Sequence, residues 1–391
     1  MSHDSAQDYR RYHSIIKRLL LTVGLWPNSD PNIFYQLLPF PYLFVNISVV
    51  LGTAVYIQMH LTNVASITKG LSIMTSFGTV ILKMTCIMIN RDNVNELHDI
   101  LDLHFNKMLN DQQISSTILK DFRTFRRLSW SFSFFVTIVI LLTAATPITS
   151  LIYQYFHSVN PIVYPDVYPT AYPWSTDPPG VRYMIHFLLE LSTIVPLFCV
   201  SPSIDSLFMM YGFQMSGQFR EMSFRLKNIK KMADERKAVR ECVLQHQSML
   251  KCRDMIEKIY GPIILWMLVS SAIILCAIMF QLSKIRSFSA IRICLLALNL
   301  TTRLLMLFIY TWSSSMLTSE SEKFRDAIYS SNWPATGQRK FMTSILIMLT
   351  QKPLMISACG FVAISIDMFP KTINTAISYF FLLKTMEGKG T

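Results

Sequence analysis

The residue types that most often carry catalysis or bind metals are scattered through this sequence. Cys242, His246 and Cys252 come closest to a metal-binding set, but their spacing matches no standard zinc pattern. The sequence contains no glycine-rich phosphate loop, no nucleophile motif and no grouping of His, Cys and Asp. We therefore expect that the protein is not an enzyme and that it uses no metal or other cofactor.

A second set of chemically capable residues is charged and lies inside apolar stretches. Charged side chains at such positions are costly and usually face protein or water. Two roles for Glu190 stay open, pairing with His186 one helical turn away or contact with a ligand, and a Lys83–Glu190 pair would suit a transporter. The charged residues concerned are Lys83, Glu190, Asp205, Arg292 and Arg303.

The composition explains why these charges stand out. Hydrophobic residues make up 51% of the chain and charged residues only 15%, whereas soluble proteins carry about 25% charged residues. A helix needs about 20 apolar residues to cross a bilayer. We predict seven spans, at 33–60, 67–89, 130–155, 182–210, 259–283, 289–316 and 367–386, while a further apolar stretch at 341–360 stays ambiguous. The polar segments 90–129 and 211–258 are predicted to be helical extensions outside the bilayer.

The net charge of +12 is explained by the connecting segments, without a nucleic-acid partner. Lys and Arg are abundant in 1–32, 90–129, 211–258 and 317–340. Along the chain these segments alternate with segments that contain few Lys or Arg residues. Positive charge favours the cytoplasmic side. We therefore predict a cytoplasmic N-terminus and an extracellular C-terminus. This orientation is opposite to that of a G-protein-coupled receptor.

The loop 156–181 is unlike the other connections. Six prolines exclude a helix and favour an extended path. They are interleaved with Tyr164, Tyr168, Tyr172 and Trp174, whose rings suit a bilayer surface. A structured outer lid and a wrap along the interface both fit this pattern.

Three stretches near the C-terminus resemble signatures of insect odorant receptors, and their order and spacing fit over about 318–386. Upstream, the resemblance is one of topology and loop size. Gustatory receptors, the nearest relatives, carry a Thr-Tyr…Gln-Phe pattern that is absent from the last helix here. The stretches are the segment 318–333, which runs from Thr318 to Trp333, then Gln351-Lys352-Pro353-Leu354 with Ile356-Ser357-Ala358, and finally Ser378-Tyr379-Phe380-Phe381-Leu382-Leu383.

The resemblance implies an all-α membrane protein with seven transmembrane helices, located in the plasma membrane of a sensory neuron dendrite. It divides the chain into a cytoplasmic segment at 1–32, a six-helix bundle at 33–316, a cytoplasmic anchor domain at 317–366 and a region at 367–391. The last region would hold a pore-lining helix and a short extracellular tail. The last segment would thus be split, with a cytoplasmic anchor helix at 341–356.

The resemblance also implies a function. A small volatile hydrophobic ligand would bind in the outer half of the bundle and open a nonselective cation channel. Because the link 211–258 lacks the long insertion of the shared co-receptor, the chain would be a ligand-tuning subunit. It would form a heterotetramer with the odorant receptor co-receptor, surrounded by membrane lipid. A gustatory-like channel, a G-protein-coupled receptor and a transporter remain alternatives.

Candidate site residues follow from the same resemblance and from depth in the membrane. The gate would fall on Leu382 and Met386, with Thr385 beside it, and packing of Leu382 between helices is the alternative. Cys294 and Ala297 match the spacing of the family's sixth helix, whereas the other pocket candidates rest on depth alone. Helix packing is the alternative for each of them. The pocket candidates are Ile73, Met74, Phe77, Thr143, Ala144, Pro147, His186, Phe187, Glu190, Cys294, Ala297 and Leu298.

Overall fold

The computed structural model of the chain describes residues 2–28, 31–61, 63–158, 164–172, 180–228, 235–283, 290–331 and 339–389. Within these ranges the chain is almost entirely helical. The first seven helices are α1 (Ser2–Thr22), α2 (Ile33–Leu37), α3 (Pro39–Met59), α4 (Val64–Ile89), α5 (Arg91–Leu109), α6 (Gln112–Ile118) and α7 (Phe122–Phe156). They are followed by α8 (Val181–Ser192), α9 (Ile194–Lys227), α10 (Glu235–Ser283), α11 (Ala290–Ser330), α12 (Arg339–Thr350) and α13 (Met368–Lys389).

The predicted membrane spans are largely confirmed. Six helical segments are long and apolar enough to cross a bilayer: Ile33–Met59, Ser66–Ile89, Phe122–Phe156, Val181–Lys227, Lys237–Ser283 and Ile293–Ser330. The seventh predicted span corresponds to α13, whose 22 residues would extend about 33 Å. It is not among the six apolar segments, because polar residues recur along it. The fold class is therefore an all-α membrane protein.

The polar segments between spans are helical, as predicted. Residues 90–129 form α5, α6 and the start of α7, and the described residues 211–228 and 235–258 continue α9 and begin α10. The core centres on α9, in which every residue from Pro202 to Met222 is buried. A helix that is buried on all sides must be surrounded by other helices, and α1, α4, α5, α6, α7, α8, α10 and α11 all pack against it.

The average polarity of 1–32 does not predict the N-terminal helix that the structure shows. Its buried side chains are Tyr9, Tyr12, Ile16 and Leu20, and they recur every three or four residues. This spacing places them on one face of an amphipathic helix. The periodicity was present in the sequence, although the segment is polar on average.

The fourth span is broken, contrary to the continuous helix predicted at 182–210. Helix α8 ends at Ser192 and α9 begins at Ile194. Pro196 cannot donate a backbone hydrogen bond to the carbonyl of Ser192. The chain is therefore free to bend at Thr193, whose hydroxyl donates to the carbonyl oxygen of Glu190 over 2.6 Å.

The anchor helix predicted at 341–356 is shorter than expected. Helix α12 ends at Thr350, because Pro353 disfavours helical geometry at the residue before it. The chain then forms a small antiparallel hairpin, in which β1 (Ser357–Ala358) pairs with β2 (Val362–Ala363). Glu257 on α10 accepts a hydrogen bond from the backbone N–H of Ser357 over 2.6 Å.

Candidate functional site

A buried carboxylate near the start of the fourth span holds part of the proline-rich loop. Glu190 is 1% exposed. It accepts hydrogen bonds from the backbone N–H of Val167 over 2.9 Å, from the N–H of Tyr168 over 3.4 Å and from the hydroxyl of Thr170 over 2.6 Å. A buried charge needs such donors to offset the loss of hydration. Glu190 thereby fixes the described loop residues 164–172, which we call the lid.

His186 completes the polar part of this site. Its Nε2 lies 3.3 Å from Oε1 of Glu190 and 3.8 Å from Oδ1 of Asp166. The ring of Tyr172 packs edge-on against the imidazole with centroids 4.8 Å apart. Burial, followed by the charge of Glu190, raises the pKa of Asp166. The structure thus shows Glu190 paired with His186 and bound to the lid, and its contact with a ligand stays a prediction.

Apolar side chains surround these polar groups. Val49, Phe77, Val167 and Tyr168 form a buried cluster, against which Ile73 and Phe187 pack. We call this set the Tyr168 cluster. The Phe77 and Tyr168 rings meet edge to face, 5.0 Å between centroids. Lid residues therefore lie inside the helix bundle, as a structured lid requires.

The far end of the lid rests on α3. Ala171 donates its backbone N–H to the carbonyl oxygen of Gly52 over 2.9 Å. A Cβ at Gly52 would lie 2.9 Å from Cζ of Tyr172, so glycine permits this close approach. The lid interpretation thus holds for 164–172, whereas Pro161, Pro173, Trp174, Pro178 and Pro179 lie outside the described residues.

The structure brings five of the twelve pocket candidates together. Ile73, Phe77, His186, Phe187 and Glu190 meet at the lid. The other seven do not belong to the Tyr168 cluster within the described part of the chain. Pro147 is buried, Met74, Thr143, Ala144 and Leu298 are half-buried, and Cys294 and Ala297 are exposed. Which of the twelve line a ligand pocket stays a prediction.

The gate candidates lie on the exposed side of α13. Leu382 is 54% exposed, so it does not pack between helices of its own chain. Thr385 is also exposed, and its hydroxyl donates to the carbonyl oxygen of Leu382 over 2.8 Å. The side chain of Met386 lies outside the described part of the chain. Thr372 and Ala376, on the opposite side of α13, are buried.

Five of the exposed residues of α13 form a continuous row along the helix. Lys371, Thr375, Ser378, Leu382 and Thr385 are all exposed, and their spacing of alternately four and three residues keeps them on one helix face. We call this row the exposed stripe. It combines hydroxyl groups with a single large apolar side chain. A lipid-facing surface would be uniformly apolar, so this face is suited to water or to polar groups.

The pairing of the buried charges differs from the expected one. Nζ of Lys83 lies 2.6 Å from Oδ1 of Asp205, with both side chains essentially inaccessible, so the Lys83–Glu190 pair is wrong. The hydroxyl of Tyr310 donates to the same oxygen over 2.5 Å. Arg303 donates to the hydroxyl of Ser76 over 2.7 Å, and the side chain of Arg292 is outside the described residues.

The basic segments meet at the end of the bundle away from the lid. Arg220 on α9 contacts Asp121 at 3.0 Å and Glu320 at 3.2 Å. Lys251 on α10 pairs with Glu96 on α5. A groove of about 330 Å³ also opens at this end, between α1 and α7. It is lined by Asp8, Arg11, Tyr12, Ile15, Arg126, Arg127 and Trp130, none of which is a predicted pocket residue.

Comparison with known proteins identifies the family. A sequence profile described as "7tm Odorant receptor" matches residues 63–377, most of the chain. The chain belongs to the insect odorant receptor family. It is 25% identical to Odorant receptor 82a of Drosophila melanogaster over 54% of each chain. It is 26% identical to the Odorant receptor coreceptor of Anopheles gambiae over 38% of this chain and 31% of the relative.

A solved structure of an odorant receptor shows the same fold. The olfactory receptor OR5 from Machilis hrabei in complex with eugenol has a TM-score of 0.81 and 16% identity, covering 97% of this chain and 100% of that one. The curated relatives match over about half of their length or less. Fold, family and a multi-pass membrane location are therefore shown for this odorant receptor, and the family is not one of enzymes.

Proposed function

We propose that this odorant receptor is a ligand-tuning subunit of an odorant-gated, nonselective cation channel. A small volatile hydrophobic molecule binds in the half of the bundle that carries the lid. The subunit assembles with the odorant receptor co-receptor as a heterotetramer, and α13 of each subunit lines the pore. The N-terminus is cytoplasmic and the C-terminus extracellular.

The exposed stripe of α13 carries this proposal. An isolated helix in lipid gains nothing from a row of hydroxyls, and Lys371 at its start would be costly there. In a ring of several subunits, the same faces surround a column of water, where hydroxyls can contact hydrated cations. Leu382 then forms an apolar ring that blocks ions by dewetting. A channel gives a role to both the hydroxyl groups and Leu382 on this face, whereas a monomeric receptor would leave the exposed stripe unexplained.

The lid end has the chemistry of a pocket for small apolar ligands. Such sites combine mainly apolar walls with a few polar groups that fix orientation. The Tyr168 cluster supplies apolar walls, and Glu190 and His186 supply the polar groups. The Machilis relative has been solved with eugenol, a small aromatic molecule. This supports a ligand of similar size for the present receptor.

Charge distribution supports the proposed orientation. The Lys- and Arg-rich segments meet at the end of the bundle that contains α1, α5 and the long ends of α9 and α10. Within 164–172, at the opposite end, no Lys or Arg occurs. Because positive charge is retained on the cytoplasmic side, this distribution supports an N-terminus inside the cell and a lid outside.

Two features favour a tuning subunit over the co-receptor and over a gustatory-like channel. Helix α9 ends at Lys227 and α10 already begins at Glu235, so the link has no room for a long insertion. Tyr379 is followed by Phe380 and Phe381, which departs from the gustatory pattern.

The proposal is tested by recording whole-cell current from cells that express the chain with and without the co-receptor, against a broad panel of volatiles. We expect a rapid cation current that requires the co-receptor and persists when G proteins are blocked. Leu382→Ala should raise the resting current, because the apolar ring is lost. Ile377→Ala, on another face of α13 and 37% exposed, is the matched control and should leave the resting current unchanged.

Two outcomes would contradict the proposal. Equal currents with and without the co-receptor would exclude an obligate tuning role. Absence of current with every volatile, despite surface expression and an intracellular N-terminal tag, would favour a gustatory-like channel or a transporter.

A further inference from the structure

Two histidines and an aspartate meet where the N-terminal helix packs against α5. His98 and Asp102 lie one helical turn apart on α5, and His13 approaches them from α1. One ligand-capable atom from each residue lies within 4.8 Å of the other two. We call these three residues the His13 cluster. They are separated by up to 89 positions in the chain, and only the packing of α1 brings them together.

One ring nitrogen of each histidine lacks a hydrogen-bond partner within the described part of the chain. Nε2 of His13 and Nδ1 of His98 are buried, and neither has a partner among the described residues. The nearest carboxylate oxygen to Nε2 of His13 is Oδ1 of Asp102, at 3.8 Å, beyond hydrogen-bond range. The buried hydroxyl of Tyr211 is also unsatisfied in the described structure, and its ring lies 6.3 Å from that of His98. Buried polar groups are rarely left without partners, so this site is suited to an additional polar or ionic species.

Surrounding residues hold the cluster in place. Asn106 donates to Oδ2 of Asp102 over 2.9 Å, leaving Oδ1 directed toward His13. Gln214 on α9 approaches Oδ1 at 3.5 Å and donates to the hydroxyl of Tyr9 over 2.7 Å. A carboxylate oriented by an outer hydrogen bond is typical of metal ligands.

Aromatic packing fixes the two imidazoles. Their rings are stacked at 9° with centroids 5.7 Å apart, and the ring of Trp26 meets both edge-on, 5.3 Å from His13 and 4.8 Å from His98. Burial lowers the pKa of His98 to about 4 and, against the opposing effect of Asp102, lowers that of His13. Both rings are therefore neutral near pH 7, which is the form that donates a lone pair to a metal.

We propose that His13, His98 and Asp102 form a binding site for a divalent transition metal, best suited to Zn²⁺, that joins the N-terminal helix to α5. Two imidazoles and one carboxylate are a familiar zinc ligand set, with water in the fourth position. Zinc bonds of about 2.0–2.1 Å place the ligand atoms of a tetrahedral site roughly 3.4 Å apart. The three ligand atoms lie within 4.8 Å of one another here, so zinc binding would draw them closer together. The positive charge of Lys17, whose Nζ lies 5.6 Å from the centroid of the Trp26 ring, would repel a bound cation.

The site has a structural consequence that does not depend on the channel proposal. A metal bound to both α1 and α5 stabilises the folded state through linkage, because the unfolded chain does not assemble the three ligands. The N-terminal helix is then held against α5 and α9 more firmly when zinc is present. Zinc would act as a structural clamp at the end of the bundle opposite the lid.

The test is zinc binding to the purified full-length chain in detergent, measured by competition with a chromophoric chelator. We expect one Zn²⁺ per chain, and an affinity at least about tenfold weaker in both His98→Gln and His13→Asn. His104→Gln is the matched control, since His104 lies on the same helix but is exposed and outside the cluster; it should bind zinc like the unchanged chain. Asn106→Ala, which removes the outer hydrogen bond, should weaken binding by about tenfold.

Two further measurements distinguish loss of the metal site from misfolding of a variant. Zinc should raise the apparent Tm of the unchanged chain and of His104→Gln, but not of His98→Gln. Co²⁺ bound to the unchanged chain should give the visible absorption of a low-coordinate nitrogen and oxygen site. Equal zinc affinity in the cluster variants and in His104→Gln would overturn the proposal, as would an unchanged chain that takes up neither Zn²⁺ nor Co²⁺.

Discussion

Helices α7 and α9 cross the same bundle but are packed very differently. Every residue from Pro202 to Met222 of α9 is buried. In α7 the buried positions are regularly spaced up to Val136, and from Thr137 to Phe156, a stretch that is described throughout, only Pro147 is buried. The bundle is therefore dense around the basic end of α9, whereas the lid-end half of α7 is exposed or half-buried over most of its length.

The two ends also use charge differently. At the dense end and in the middle of the bundle, charged side chains contact one another across helices, as Lys83 does with Asp205 and Arg220 with Glu320. At the lid end one carboxylate, Glu190, binds backbone groups of a loop. Disruption of the dense region should therefore unfold the protein, whereas disruption of the lid should change local order and ligand response.

The largest effect is expected for Lys83→Met. The substitution leaves Asp205 buried without its cation, which costs about 3–5 kcal/mol. We expect little receptor at the cell surface and a strongly lowered apparent Tm in fluorescence-detected size-exclusion chromatography. Lys69→Met, at an exposed position on the same helix, should behave like the unchanged chain. Adding Asp205→Asn should recover part of the loss, and normal stability of Lys83→Met alone would refute this view of the dense region.

The next largest effect is the pH dependence of stability caused by His98, which is measured with a chelator present to keep the protein free of metal. The pKa of His98 is lowered to about 4 by burial, with opposing effects of Asp102 and Asp99 and reinforcing effects of His13 and Lys17. Between pH 4 and about 6.5 the unfolded state therefore binds the proton that the folded state rejects. Stability should fall as pH decreases through this window, by about 3 kcal/mol at full effect.

Thermal unfolding between pH 7.5 and pH 5 tests this prediction. His98→Gln should flatten the dependence strongly, whereas His104→Gln should flatten it only slightly, because burial also lowers the pKa of His104 but this side chain is exposed. The same slope in both variants would show that other groups dominate acid destabilisation.

Loss of the lid clamp should have a smaller and more local effect. Glu190→Ala leaves the buried N–H groups of Val167 and Tyr168 without an acceptor, at a cost of about 1–3 kcal/mol. Because the lid is a loop, we expect faster hydrogen exchange over 164–172 and a shifted concentration–response curve, with most receptor still folded. Thr170→Val removes one of the three contacts and should have an intermediate effect. Unchanged exchange over 164–172 in Glu190→Ala would exclude the clamp.

A matched pair of glycines gives the smallest and most direct comparison of the two regions. A Cβ at Gly217 would lie 2.9 Å from the Phe105 ring, and one at Gly52 would lie 2.9 Å from Tyr172. Phe105 is fixed among other aromatic rings, so Gly217→Ala should cost about 1–3 kcal/mol. Tyr172 belongs to the lid, which can shift, so Gly52→Ala should change stability by less than about 1 kcal/mol. Apparent Tm values in the reverse order would contradict the comparison.

Much of this fold could be predicted, because hydropathy reports local burial in lipid. The spans followed from apolar runs, and the helical extensions followed from charged segments without proline. Helix α1 was missed although Tyr9, Tyr12 and Ile16 carry a clear helical period. Average polarity hides this helix, whereas the periodicity of its buried side chains reveals it.

The candidate site was predictable only in part. The spacing of His186 and Glu190 indicated a pair on one helix face, and the structure shows 3.3 Å between them. Nothing in the sequence showed that Glu190 also binds the N–H groups of Val167 and Tyr168, since those groups are present in every residue but proline. Likewise, Lys83 had two acidic candidates in the fourth span, and depth alone did not identify Asp205 as its partner.

Local patterns in the sequence are sufficient to establish the membrane architecture, the asymmetry of positive charge and the family of this receptor. Each of these depends on residues close together in the chain, such as an apolar run or the signature around Tyr379 and Phe380. Tertiary structure alone decided the partner of Lys83, the attachment of the lid and the meeting of His13 with His98. These contacts join segments far apart in the chain, and their geometry is set by helix packing, which a one-dimensional pattern does not contain.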